Sequence, residues 1–129
     1  VLAFRNLAMV QVLGIGGVFF RAKDPSALAQ WYQTHLGINL VPNGPDDMPW
    51  ITQAGVTVFS PFDLDTDYFP KDHAFMLNFR VADLEAALAE LDAAGITVSD
   101  RMQMDGVGHF ARIHDPEGNP VELWQPAQV

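Results

Sequence analysis

The chain has 129 residues, no cysteine and a formal net charge of −9. This length fits one domain with its own hydrophobic core, and the lack of cysteine excludes disulfides, thiolate metal sites and cysteine nucleophiles. The negative charge argues against nucleic acid or an anionic membrane as a partner, because both would be repelled. We expect a reduced, cytoplasmic setting.

The pattern of apolar and polar residues in the N-terminal stretch does not predict a membrane-spanning helix. Arg5, Asn6 and Gln11 interrupt it, so no apolar run reaches the ~18 residues that a spanning helix needs. It also lacks the charged start, apolar centre and small-residue cleavage site of a secretion signal. We interpret residues 1–8 as a tag remnant or an upstream extension, and assign the extension 1–11 no function.

Two segments of the chain share one pattern, in which a strand, an Asp, a helix, a Gly and a second strand follow in order. The segments are 14–41 and 75–98, and the stretches that follow them, 48–62 and 108–126, match as well. Asp24 and Asp83 are predicted helix N-caps. Gly37 and Gly95 stand where a left-handed C-terminal cap is wanted.

The repeat predicts an α+β fold of two βαβββ modules. These are residues 12–62 and 73–126, joined by an acidic and aromatic connector at 63–72. One module alone would leave a sheet face bare, so pairing two modules buries the helices on one side. The other side then curves into a concave cup. The pairing can occur within one chain or between two.

Strand alternation predicts which side chains line the cup. In HDPEGNPVELWQP (114–126), Val121 and Leu123 point one way while Glu122 and Trp124 point the other. The same rule in the other first and last strands adds Gly17, Phe19, Arg21, Thr57, Phe59, Met76, Asn78 and Arg80. Apolar walls with a few convergent polar groups are typical of a small-molecule site.

With DP…WY…LG in the first module and DPEGNPVELW closing the second, the chain resembles the vicinal oxygen chelate superfamily. That group includes glyoxalase I, extradiol dioxygenases, fosfomycin-resistance enzymes and metal-free bleomycin-resistance proteins. The resemblance covers residues 12–126 and implies a glyoxalase-like fold. Most members are dimers, so a homodimer is the expected assembly.

In the metal-dependent members of this superfamily, His and Glu ligands project from four equivalent strand positions onto one divalent ion. The resemblance places these positions at Gly17, Thr57, Met76 and Glu122. Glycine has no side chain, methionine is a soft ligand and threonine a weak one, so the usual metal centre and any other cofactor are not expected. An atypical divalent ion that uses His73 or His109 is the alternative.

The first hypothesis for function is a metal-independent enzyme that acts on a small anionic or carboxylate-bearing compound. Glu122 would be its general base, and the anion-binding groups would be Arg21, Asn78 and Arg80. A structural alternative is that Glu122 pairs with an arginine and binds nothing.

The second hypothesis is an acidic, dimeric, drug-sequestering protein of the bleomycin-resistance type. It would hold a cationic aromatic drug against Trp124, Phe19 and Trp50. A ligand-sensing domain without chemistry, and a metal-dependent lyase or dioxygenase with atypical ligands, are further alternatives. In each case the expected partner is a small molecule.

Overall fold

The computed structural model describes residues 9–128, so residues 1–8 of the predicted N-terminal extension lie outside the described part. Its elements are α1 (Pro25–Leu36), β1 (Leu77–Arg80), α2 (Leu84–Ala93), β2 (Ser99–Met104), β3 (Gly108–His114) and β4 (Pro120–Pro126). Two helices and one mixed four-stranded sheet confirm the predicted α+β class. Neither described helix is long and apolar enough to cross a membrane.

The second predicted module forms all of its expected elements. The sheet order is β1-β4-β3-β2, with β4 parallel to β1 and antiparallel to β3. Helix α2 begins after Asp83, whose carboxylate accepts a hydrogen bond from the Ala86 backbone N–H at 3.1 Å. Its apolar stripe, Leu84, Leu88 and Leu91, is buried as the spacing predicts.

The first module contributes its helix but no strand among the described residues. The predicted caps are present, because Asp24 accepts from the Ala27 N–H and Gly37 is left-handed with φ +69°. The stretches predicted as strands remain exposed, and Val56 and Val58 are 65% and 69% accessible.

The missing strands have a physical reason. A strand needs a hydrogen-bonding neighbour, and no first-module stretch among the described residues pairs with the open edge of β1. Prolines at positions 42, 45 and 49 and glycines at 14, 16 and 17 further disfavour pairing of the first-module stretches. The division of the chain at 12–62, 63–72 and 73–126 stays a prediction.

Both helices pack on one face of the sheet. The core comprises Leu28 and Tyr32 of α1, the α2 stripe, Ala111 and Ile113 of β3, and Val121 and Leu123 of β4. Val121 and Leu123 are 0% and 1% exposed, which confirms the register predicted for β4. Glu122 and Trp124 therefore project to the opposite side, called here the open face.

The turn between β3 and β4 joins the two halves of the chain. Asp115 is buried and accepts a hydrogen bond from the Tyr32 hydroxyl at 2.7 Å. The Glu117 carboxylate accepts from the backbone N–H groups of Lys23 and Asp24 at 2.7 and 2.9 Å. The signature residues DP…WY and DPEGNP thus dock α1 onto the second module.

Candidate functional site

The open face is defined by the register of three neighbouring strands. Glu122 on β4 lies opposite Asn78 on β1 and Arg112 on β3. Directly paired residues project to the same face, so these three form the polar row. Two residues further along the strands, and on the same face, lie Arg80, Trp124 and Phe110. This second row is called the aromatic row after its two rings.

Glu122 is buried, with 8% of its surface exposed. The Tyr68 hydroxyl donates to its Oε2 at 2.5 Å, and Asn78 Nδ2 donates to its Oε1 at 2.7 Å. A buried carboxylate is costly unless such donors are present. The structure thus brings the predicted residues Glu122 and Asn78 together and adds Tyr68 of the connector.

Arg112 completes the polar row, although sequence patterning did not single it out. Alternation in GHFARIHD places Phe110 and Arg112 on one face, but their place beside Glu122 depends on β3 being the neighbour of β4. The sequence predicted a strand at 108–115 but no cup residue from it. The turn signal before β4, read together with alternation, would have found Arg112.

Arg112 is buried, with 9% of the residue exposed, and its guanidinium holds the connector. Its Nη2 donates to the Tyr68 carbonyl oxygen at 2.7 Å, and its Cζ lies 5.3 Å from the centre of the Tyr68 ring. Nη1 is 4.0 Å from Asp100 Oδ2. Its Nε is buried and has no hydrogen-bond partner in the described chain. No arginine pairs with Glu122 among residues 9–128.

Tyr68 is therefore held on the polar row by its hydroxyl, which donates to Glu122, and by its carbonyl oxygen, which accepts from Arg112. Burial, together with its hydrogen bond to Glu122, raises the pKa of the Tyr68 hydroxyl to about 12. The tyrosine stays protonated at neutral pH and acts as a hydrogen-bond donor. Phe62 packs on its ring at a centroid distance of 5.6 Å.

Phe110 and Trp124 of the aromatic row are buried beside the polar row, at 9% and 8% exposed. The rings of Phe110 and Trp124 are stacked, with centroids 5.9 Å apart and planes 2° apart. Trp124 Nε1 donates to the Val107 carbonyl at 2.9 Å, which fixes the indole. Arg80 is exposed, and its guanidinium donates to the Gln53 carbonyl at 2.8 Å.

Among the described residues, no hydrogen bond joins a predicted first-module site residue to Glu122. Phe19 and Phe59 are 94% and 87% exposed, and Arg21 and Thr57 are exposed as well. Trp50 contacts Phe79, edge to face at 6.0 Å, and Phe79 packs against the core on the helix side of the sheet. Their role in ligand binding stays a prediction.

Lack of the usual metal centre of the superfamily stays a prediction. A side chain at position 17 would meet the Phe19 ring, which lies 2.7 Å from the place of its Cβ. Both Glu122 oxygens already accept hydrogen bonds. Among residues 9–128, no three His, Asp or Glu side chains are grouped so as to hold a metal ion. Participation of His73 or His109 in an atypical site stays a prediction.

Two surface cavities lie away from the polar row. One, of about 390 Å³, runs along α1 beside Trp31, His35 and Pro116. The other, of about 240 Å³, lies between the start of α2 and the β2–β3 hairpin, beside His109 and Phe110. Because Tyr68 contacts both Glu122 and Arg112, the polar row itself is occupied by the chain's own connector.

This chain has a βαβββ module whose last two strands are joined by a DPEGNP turn and whose sheet has a polar open face. These features define a protein of the vicinal oxygen chelate class. The chain matches the glyoxalase-like domain family over residues 17–124 and belongs to that family. No match was found among curated proteins.

Solved structures with the same fold are similar to this chain. TnmS3, an antibiotic-binding protein from Streptomyces sp. CB03234, is 25% identical, with a TM-score of 0.53 over 81% of this chain and 88% of that one. A glyoxylase/bleomycin resistance protein/dioxygenase domain from Frankia sp. EAN1pec is 17% identical, with a TM-score of 0.58 over 91% and 100%. A lactoylglutathione lyase from Agrobacterium tumefaciens is 20% identical, with a TM-score of 0.51 over 81% and 87%. The last two likenesses concern the fold alone.

Proposed function

We propose that this chain binds a small aromatic compound on the open face, without a metal and without making or breaking a bond. The observation that carries the proposal is the juxtaposition of the two rows. Glu122 accepts hydrogen bonds, Arg112 donates them, and a stacked ring pair lies two residues further along the strands. Such a set of groups binds and orients a ligand. The likeness to TnmS3, an antibiotic-binding protein, supports a binding role.

The charges of the polar row favour a ligand without net charge. One carboxylate and one guanidinium lie side by side in the row, so a ligand meets both signs at close range. The whole-chain charge of −9 acts over longer distances, and salt screens it beyond ~10 Å. An anionic ligand is less favoured because Arg80 is bound to a backbone carbonyl and Arg21 is exposed outside the rows.

A titration with three probes tests this function. The probes are a neutral hydroxyanthraquinone, the cationic drug bleomycin and the anionic hemithioacetal of glutathione. We expect the hydroxyanthraquinone to quench tryptophan fluorescence, with the same affinity in the presence of a chelator. Arg112→Met lowers that affinity about tenfold, as loss of a hydrogen bond from a charged donor predicts. Arg101→Met, at an exposed arginine of β2 that pairs with Glu85, is the matched control and leaves the affinity unchanged.

Two results would contradict the proposed function. If none of the three probes binds, the open face is not a binding site. If the hemithioacetal is converted when zinc, nickel or manganese is added, the chain is a metal-dependent lyase and the assignment of a binding protein is wrong.

We infer further that the functional assembly is a homodimer. The first-module stretches carry many exposed apolar side chains, including Val18, Phe19, Val56, Val58 and Phe59. Exposed apolar clusters of this kind mark association surfaces, and β1 leaves a sheet edge open for another strand. A second copy can cover both.

Light scattering coupled to gel filtration measures the assembly directly. We expect twice the mass of the 14.2 kDa chain at micromolar concentration. Val58→Asp shifts the equilibrium towards the monomer, whereas Asp105→Ala, in the exposed β2–β3 turn, does not. A monomer at all concentrations would refute the dimer.

A further inference from the structure

The connector residue Tyr68 occupies the place on the polar row where a ligand would bind. Its hydroxyl is 2.5 Å from Glu122, its carbonyl accepts from Arg112 at 2.7 Å, and its ring lies beside the guanidinium. One aromatic residue thus satisfies the principal acceptor and the principal donor of the row. Tyr68 thus shows which groups fit this row: a hydroxyl that donates to Glu122, and a carbonyl oxygen and an aromatic ring beside Arg112.

The segment that carries Tyr68 is mostly exposed, with Thr66, Phe69 and Pro70 half-buried beside it. Residues 61–72 contain neither helix nor strand, and Asp63, Asp65 and Asp67 are exposed. Besides its contacts to the row, Tyr68 makes a local hydrogen bond from its N–H to Thr66 Oγ1 and a ring contact with Phe62. Segments with few buried contacts open at low free-energy cost. The connector can therefore leave the row without unfolding the sheet.

We propose that Tyr68 is a displaceable internal ligand, and that the compound bound on the open face is a phenol, which replaces Tyr68 at Glu122 and beside Arg112. This inference rests on the proposed function. It goes further, because it names the chemical class of the ligand and the event that admits it.

The chemistry of the row selects a phenol over other aromatic compounds. Glu122 is buried and needs a hydrogen-bond donor in place of the tyrosine hydroxyl, which an unsubstituted ring cannot provide. The Arg112 guanidinium needs a ring face and an acceptor oxygen. A phenol that also carries a carbonyl oxygen replaces both hydrogen bonds of Tyr68, and the Arg112 Nε, which has no partner, is available to a further acceptor.

Removing the internal ligand tests the inference. The probe is p-cresol, the tyrosine side chain as a free molecule, with toluene as the matched compound that lacks the hydroxyl. In Tyr68→Ala we expect p-cresol to bind by calorimetry and to raise the melting temperature by a few degrees. Toluene binds at least about tenfold more weakly, as loss of a hydrogen bond to a charged group predicts. The wild type, whose site is filled, binds p-cresol about tenfold more weakly than the variant does.

A second substitution assigns the contact. Adding Glu122→Gln to Tyr68→Ala lowers p-cresol affinity about tenfold but leaves toluene affinity unchanged. Equal binding of p-cresol and toluene to Tyr68→Ala would overturn the assignment of a phenol. Equal binding of p-cresol to the wild type and to Tyr68→Ala would overturn displacement.

The hydroxyanthraquinone separates this inference from the proposed function. If it binds the wild type and Tyr68→Ala with equal affinity, binding on the open face stands but Tyr68 is not the competitor. If it binds neither protein, the proposed function fails with the inference. Should Tyr68→Ala not fold, Tyr68→Phe keeps the ring and removes the donor. This variant should bind the hydroxyanthraquinone several-fold more tightly than the wild type, and an unchanged affinity would refute the inference.

Discussion

Replacing Asp115 with Ala would remove the acceptor on which the β3–β4 turn and helix α1 converge. The carboxylate is 4% exposed and accepts four hydrogen bonds. Its Oδ2 receives the Tyr32 hydroxyl at 2.7 Å and Asn119 Nδ2 at 2.8 Å. Its Oδ1 receives the backbone N–H groups of Glu117 at 2.9 Å and Asn119 at 3.0 Å.

The expected loss of stability follows from how many of these donors water can reach. Glu117 and Asn119 are partly exposed, so water satisfies most of what they lose. The Tyr32 hydroxyl belongs to a residue that is 7% exposed and would remain buried without a partner. A hydrogen bond to a charged group is worth about 1.5–3 kcal/mol, and such contributions are not additive. We expect Asp115→Ala to cost ~3–4 kcal/mol and Tyr32→Phe to cost ~1–2 kcal/mol.

Urea unfolding of the wild type, the two single variants and the double variant measures both costs and their coupling. Because the side chains touch, we expect a coupling energy of about 1–2 kcal/mol. Asp105→Ala is the matched control, since Asp105 is exposed in the β2–β3 turn, and it should change stability by less than about 0.5 kcal/mol. A cost below about 1 kcal/mol for Asp115→Ala, or additive effects of the two single substitutions, would refute the stabilising role of the Asp115–Tyr32 hydrogen bond.

Three further predictions concern ionisation and close contacts. Burial and hydrogen bonds raise the pKa of Tyr32, and raise the pKa of Tyr68 to about 12. The stability that these two hydroxyls contribute is therefore present below about pH 10 and is lost as the pH rises through their folded-state pKa values. A tyrosinate absorbance titration of the native protein that overlays that of the urea-unfolded protein would contradict this. Glu117→Ala should lower the urea midpoint by the equivalent of ~1–2 kcal/mol, because the backbone N–H groups of residues 23–24 lose their acceptor; an unchanged midpoint would show that water replaces it. Gly108→Ala should cost more than about 2 kcal/mol, since φ is +136° and the new Cβ would clash with the Gln125 carbonyl oxygen of β4; a wild-type melting curve would be incompatible with that geometry.

Features set by neighbours along the chain were predictable from the sequence. The caps at Asp24, Asp83 and Gly37 follow from short-range rules and appear where they were expected. The assignment of Val121 and Leu123 to the core follows from strand alternation. In each case the controlling interaction lies within a few residues.

Features set by tertiary docking were not predictable in the same way. Tyr68 lies in a connector without regular structure, and nothing local to it indicates that its hydroxyl reaches Glu122, 54 positions away. The first-module strands were predicted from their similarity to the second module, but a strand also requires a partner edge. Apolar alternation in stretches such as 56–62 describes what a segment is able to do, not which neighbour it finds.

The signature residues and the candidate ligand-binding residues lie on different sides of the structure, and this separation limits what the signature can say about function. Asp115 and Glu117 hold α1 against the turn, whereas Glu122 points to the open face of β4. A chain can therefore keep the residues that build the fold while the residues at the four family metal positions change. The resemblance places Gly17 and Met76 at two of those positions, and neither is a ligand for a hard cation. For this chain the DPEGNP turn is evidence of the fold, and the function has to be argued from the polar row that faces the other way.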